Sequence, residues 1–210
     1  LSKLNELESE QNQGLQKLVM LTSALPGDGK TFTTLNLALN LALEKDITVI
    51  LVDGDVAKPH ISALLDRADS RGLLDLASDV SVNLKDVICK TNIPRLYFIP
   101  AGVKTEQANE LMSGSRMKEV LSQLAAIQKN CLIVFDSSPV LLTSESKVML
   151  SYSDFVILMI KAGVTPKVAV SDSIKILNEM SVKFGVVLND VKTNVFTAYG
   201  YGYGYGYGSN

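Results

Sequence analysis

Long apolar runs are missing from this 210-residue chain. The longest, such as 155–160, falls far short of the ~20 residues that cross a bilayer as a helix. A signal-peptide pattern is missing too, and so is an initial methionine; a chain that starts at Leu1 is expected to be a piece of something longer. Cysteine occurs twice, at Cys89 and Cys131, with no metal-ligand or disulfide spacing, so both are read as buried reduced thiols of a reducing compartment. Histidine occurs once, and His60 reads first as a surface or helix-start residue and second as a phosphate contact, since an acidic motif stands nearby. The net charge of −2 comes with dispersed basic residues, which excludes a nucleic-acid footprint.

What is present suits one globular unit: 47% apolar and 20% charged residues leave room for a full core. Residues 1–16 read as a polar N-terminal helical segment, 17–192 as the folded domain and 193–210 as a tail. Within the domain, apolar stretches at 17–22, 47–52, 96–99, 132–135, 155–160 and 184–188 lack alternation and predict buried strands. Helices are predicted at 31–45, 61–65, 73–77, 115–129 and 166–180. The leucines at 35, 37, 39, 41 and 43 alternate as in a strand, but the length and the leucine and alanine content favour a buried helix covered on most sides. Such strands, most of them followed by helices, predict an α/β fold: a mainly parallel sheet with helices on both faces. Its ligand site should lie beyond the carboxyl ends of the strands.

Three motifs fall at such ends. In Ala24-Leu-Pro-Gly-Asp-Gly-Lys30-Thr31, a glycine-rich turn between strand and helix points backbone N–H groups at phosphates. Lys30 reaches the outer phosphate oxygens and Thr31 is placed to ligate Mg2+. Gly27, Asp28, Gly29, Phe32 and Thr33 complete the candidate nucleotide contacts. Ala24 stands where the general pattern has glycine, a small change.

Val52-Asp-Gly-Asp55 ends a buried strand with two carboxylates. Asp53 and Asp55 can hold Mg2+ or orient an incoming hydroxyl; alone, they read as turn or capping aspartates. Phe135-Asp-Ser-Ser-Pro139 repeats the pattern with Asp136 as a further metal carboxylate. Both acidic ends downstream of a phosphate loop favour function over capping.

The tail is unlike the rest. Tyr199, Tyr201, Tyr203, Tyr205 and Tyr207 alternate with glycine, and no charged residue follows Lys192. Glycine loses the most entropy on ordering, so the tail is expected to be flexible. A low-complexity sticky end, an edge strand or a docking peptide is the plainer alternative. Extended, the last twenty residues would span roughly 65 Å against a domain radius of gyration of about 16 Å.

Together these motifs resemble the bacterial tyrosine autokinases of exopolysaccharide and capsule systems. Residues 23–31 look like their Walker A motif, 52–55 like the second, A-prime motif and 135–139 like Walker B, and the tyrosines are similar to their autophosphorylation tail. The resemblance implies ATP and Mg2+ as cofactors. Lys30 and Thr31 would serve phosphates and metal, Asp55 and Asp136 the metal, and Asp53 the metal or the incoming tyrosine. Asn189 lies where related nucleotidases contact adenine, or is an ordinary turn residue. The resemblance also implies the tail as first substrate and a cytoplasmic place at the inner face of the membrane beside a membrane-spanning activator; a homo-oligomer stays an open alternative, since the tail can reach its own site or a neighbour's.

Two features depart from that family. Ala57, followed by Lys58, stands where it has arginine, and its Glu-x-x-Arg-x-x-Arg assembly motif is absent. The competing reading is a partitioning or cell-division ATPase switch, which shares the fold but carries a signature lysine where this chain has Leu25.

Overall fold

A computed structural model describes residues 18–128 and 130–192. The expected N-terminal helical segment and the tyrosine tail therefore lie outside the described residues. Seven strands form one sheet: β1 (Leu18–Ser23), β2 (Thr48–Asp53), β3 (Cys89–Lys90), β4 (Leu96–Ile99), β5 (Cys131–Asp136), β6 (Phe155–Lys161) and β7 (Phe184–Asn189). Their order across the sheet is β3-β4-β2-β5-β1-β6-β7. Every pairing is parallel except β3 with β4.

Neighbouring side chains on a strand point to opposite faces, and this splits the core in two. Leu18 and Met20 of β1, Ile50 and Val52 of β2, and Ile133 and Phe135 of β5 face one layer. That layer holds α3 (Leu73–Ser78), α5 (Ala108–Ser113), α6 (Ser115–Ala125), α7 (Ser144–Leu150) and α8 (Lys167–Glu179). Val19, Leu21, Val49, Leu51, Leu132 and Val134 face the other layer, built on α1 (Lys30–Leu41) and α2 (His60–Leu64). Strands buried on both faces need apolar residues at every position, which is why β1, β2 and β5 show no alternation. Each fully buried Leu, Ile or Val contributes about 1.5–3 kcal/mol.

Helix α1 corrects one expectation. It is a helix, but it buries only a stripe, Lys30, Thr34, Ala38 and Leu41, at helical spacing. Leu39 and Leu43 are exposed, so the alternating leucines mark no face. The helix ends at Leu41 rather than Lys45: the Leu43 and Glu44 amides bond back only three residues, to Asn40 O and Leu41 O, and the Arg95 guanidinium caps the carbonyls just beyond, Ala42 O at 2.9 Å and Glu44 O at 3.1 Å. Helix α6 likewise stops at Ala125, short of 129. Four short elements escape the sequence periodicity: α4 (Leu84–Val87), β3, α5 and α7. Cys131 is buried and free, and burial pushes its thiol up to about 11. Cys89 is also free but only half-buried, because β3 is an edge strand. Among the described residues no helix is long and apolar enough to cross a membrane.

Candidate functional site

The sheet order places the site. In register, Asp53 at the end of β2 pairs with Asp136 at the end of β5, and Asp136 pairs with Leu21 of β1. The loop from β1 to α1 thus emerges beside both acidic strand ends. Gly27 and Gly29 have φ of +85° and +94°, backbone that favours glycine. At Gly29 a Cβ would also lie 2.1 Å from Asn189 Nδ2.

Lys30 opens α1 and points across the cleft. Its Nζ is 2.8 Å from Asp55 Oδ2 and 3.9 Å from Asp136 Oδ2, with both carboxylates buried. The Thr31 hydroxyl donates to Asp136 Oδ2 at 2.8 Å, and the Thr34 hydroxyl lies 2.9 Å from Oδ1. Asp55 Oδ1 accepts from the Ser138 hydroxyl at 2.7 Å and the Lys58 amide at 3.2 Å. The turn between the two aspartates needs Gly54, since a Cβ there would fall 1.9 Å from the Phe135 ring.

Asp53 is placed differently. It has no exposed surface, and its Oδ2 accepts from the Ser62 amide and hydroxyl, each at 2.7 Å. Its Oδ1 is buried with no hydrogen-bond partner. Burial pushes the Asp53 carboxyl up to about 6; the Ser62 hydrogen bonds oppose this, and Asp136 and Asp55 add to it by repulsion. Burial raises the Asp136 carboxyl too, against the pull of Lys30 and the Thr31 and Thr34 hydroxyls.

A cleft of about 390 Å3 opens over this array, lined by the phosphate loop, Asp55, Lys58, His60 and Ser138, with Phe32 and Leu142 at its apolar margins. Of the sequence candidates, Gly27, Gly29, Lys30, Thr31, Phe32 and Asp55 line it; Asp53 and Asp136 sit beneath it, and Thr33 is outside the lining. His60 is the first residue of α2, the helix-start position, and also borders the cleft. Asp28 faces away from the cleft, and the Asn189 side-chain amide donates to Asp28 O at 3.0 Å, inside the phosphate loop.

Sequence reasoning missed Thr34, Ser62 and Ser138, and also Thr143, which lines the cleft beside Leu142. Thr34 was findable, one helical turn beyond Lys30 and so on the same face. Ser62 comes from another element and carries no local signal.

These donors are hard oxygens, which suit Mg2+. Among the described residues no three Asp, Glu, His or Cys groups form a cage for a metal by themselves. Mg2+ is usually held by one or two carboxylates with substrate phosphates and water, so the residues fit it. A glycine loop opening a helix, a lysine facing the cleft and acidic strand ends behind it make a nucleotide site.

Comparison with known proteins agrees. The AAA-domain family model matches residues 16–189. The tyrosine-protein kinase CpsD of Streptococcus agalactiae is 28% identical over 88% of this chain and 79% of its own length. The tyrosine-protein kinase YwqD of Bacillus subtilis is 29% identical over 88% and 76%. The solved VpsO kinase domain superposes with a TM-score of 0.78 and 31% identity, covering 91% of this chain and 92% of that one. The cell-division ATPase MinD of Pyrococcus furiosus, 22% identical with a TM-score of 0.64 over 83% of this chain and 72% of its own, shares the fold alone.

Proposed function

The chain belongs to the AAA-domain family and, within it, to the bacterial tyrosine-protein kinases, and from that premise we propose that it transfers the γ-phosphate of ATP to its own C-terminal tyrosines. The observation that carries this reading is the convergence of Lys30, Thr31, Asp55 and Asp136 at one cleft.

Phosphoryl transfer through a loose transition state asks for positioning and charge neutralisation more than covalent help. The loop amides and Lys30 would hold the phosphates, drawing Lys30 from its partner Asp55. Thr31, Asp55 and Asp136 would hold Mg2+, which when bound neutralises charge on the β- and γ-phosphates. A tail phenol attacks the γ-phosphorus as the bond to the ADP oxygen breaks, and the phenolic proton leaves to a carboxylate.

Asp53 suits that last role electrostatically. Both oxygens of Asp55 are engaged, whereas Asp53 Oδ1 is not, and a carboxyl near 6 is well matched to proton transfer at neutral pH. Asp53 has no exposed surface, so a phenol would reach it only once the residues covering it give way.

The acceptors are Tyr199, Tyr201, Tyr203, Tyr205 and Tyr207, and several phosphates there, each about −1.5 to −2 in charge, would make the tail self-repelling. The resemblance supports a role in polysaccharide polymerisation or export, at the inner membrane face with a membrane-spanning activator. A partitioning-type ATPase switch shares the fold, but Leu25 occupies the place of that group's signature lysine. Mass spectrometry of the purified chain with and without Mg·ATP is the test: ATP-dependent phosphate on tail tyrosines that disappears in Lys30→Met supports the reading, and phosphate undiminished in that variant overturns the site.

A further inference from the structure

The phosphate loop carries a negative side chain where an anion must bind. Asp28 lies between Gly27 and Gly29, is only 3% exposed, and would repel a triphosphate if it turned toward the cleft. Its carboxylate is turned away and tied at both oxygens. Oδ2 accepts from the Leu25 amide at 3.1 Å, across the base of the loop. Oδ1 accepts from the Thr165 hydroxyl at 2.7 Å, from a turn 137 residues further along the chain.

That turn is built to present the hydroxyl. It connects β6 to α8, and Gly163 takes a φ of +69° within it. The Thr165 amide donates to Lys161 O at 3.0 Å, and the Lys161 amide donates back to Thr165 Oγ1 at 2.9 Å. With its oxygen already accepting, the hydroxyl has its proton free for Asp28. The next strand end reinforces the tie, since Asn189 Nδ2 donates to Asp28 O and the Asn189 carbonyl accepts from Ala162.

We propose that Thr165 is a positioning residue for nucleotide binding: its hydroxyl holds the Asp28 carboxylate out of the phosphate cleft, so that the loop meets the triphosphate with amides and Lys30 alone. This rests on the loop being the phosphate site. Thr165 lies outside the phosphate-loop and acidic motifs and acts only through Asp28. Without its hydroxyl, a buried carboxylate keeps one partner, and its cheapest remedy is to swing toward solvent through the cleft.

The test is titration of a fluorescent ATP analogue with Mg2+ into the whole chain and its variants, with kcat and KM for tail phosphorylation and the melting temperature of each protein. Thr165→Val is expected to weaken binding roughly tenfold, the scale of a hydrogen bond to a charged group, and to raise KM for ATP more than it lowers kcat. Thr165→Ser should restore both. Thr165→Ala is measured alongside, so that a misfit of valine is not mistaken for loss of the hydroxyl. The decisive comparison is charge removal: in an Asp28→Asn background, Thr165→Val should cause little further loss, because nothing negative remains to misdirect.

Binding unchanged in Thr165→Val and Thr165→Ala while the parent chain binds tightly overturns the proposal, as does a lowered melting temperature with unchanged affinity. An undiminished loss in the Asp28→Asn background also overturns it. If the parent chain binds no nucleotide, the phosphate-site assignment falls first and the positioning role falls with it.

Discussion

Lys30 and Asp55 form an ion pair at 2.8 Å that joins the phosphate loop to the end of β2, with both side chains less than a tenth exposed. Lys30 is also the cation near Asp136. It therefore serves two masters: before nucleotide arrives it neutralises carboxylates, and afterwards phosphates.

Lys30→Met is accordingly expected to fail twice. Tail phosphorylation should fall roughly 100- to 1,000-fold, the usual effect of losing one preorganised charge contact. Stability without nucleotide at neutral pH should fall by about 3 kcal/mol, because one buried partner is removed and the other is left. Radiolabel incorporation and urea denaturation measure the two separately.

At Asp53 a substitution is expected to raise stability instead, and only where the carboxyl is ionised. Its carboxyl titrates at about 6 in the fold against 3.8 as the ordinary value, so the folded state binds the proton more tightly than the unfolded state. The resulting stabilisation is fully present below about pH 4 and is lost as pH rises through about 6. The shift corresponds to at most about 3 kcal/mol. Asp53→Asn should melt higher than the parent at pH 7.5 and no higher at pH 4, while losing kinase activity. Equal melting differences at both pH values would show that Asp53 does not titrate in this way.

Thr34 is a quieter support. Its hydroxyl lies between two acceptors, Asp136 Oδ1 at 2.9 Å, on the side away from Thr31, and the Lys30 carbonyl at 2.8 Å, which share its one proton. Thr34→Val keeps the shape and removes the donor, and is expected to cost about 1–3 kcal/mol, as for a buried charged acceptor left short. Thr34→Ser should recover most of it. Calorimetric melting of the three proteins decides.

At Gly54 the constraint is space. A Cβ would meet Phe135 Cε1 at 1.9 Å and Asp136 O at 2.8 Å, and backbone cannot give way as a flexible side chain can. Gly54→Ala should destabilise by about 3 kcal/mol, and Phe135→Leu in the same chain should recover part of that. Denaturant midpoints of the single and double variants report it.

The sequence revealed elements whose identity is local. The unalternating strands, the glycine-lysine loop and the acidic strand ends all carry their own signals, and the expected segment 96–99 coincides with β4. Contacts made by residues distant in sequence were not visible, as where Arg95 caps the carbonyls just beyond the end of α1. For the site, residue types showed which groups gather but not how deep each lies. Asp53 and Asp55 are two positions apart in one motif, yet Asp55 borders the cleft while Asp53 is covered and held by Ser62. The helix at α2 was expected from the sequence, but that its Ser62 would bind Asp53 was not, because nothing local in the sequence marks that contact.

The order of strands also sets when the site can exist during synthesis. The loop is made before its partners: Asp136 follows Thr31 by 105 residues, and Thr165 and Asn189 follow Asp28 by 137 and 161. At ribosomal rates, about 5–20 s separate Thr31 from its first acidic partner. A nascent chain halted before β5 would carry the loop residues beside an unpaired β1, since both sheet neighbours of β1 come later, and would have no place to seat a triphosphate.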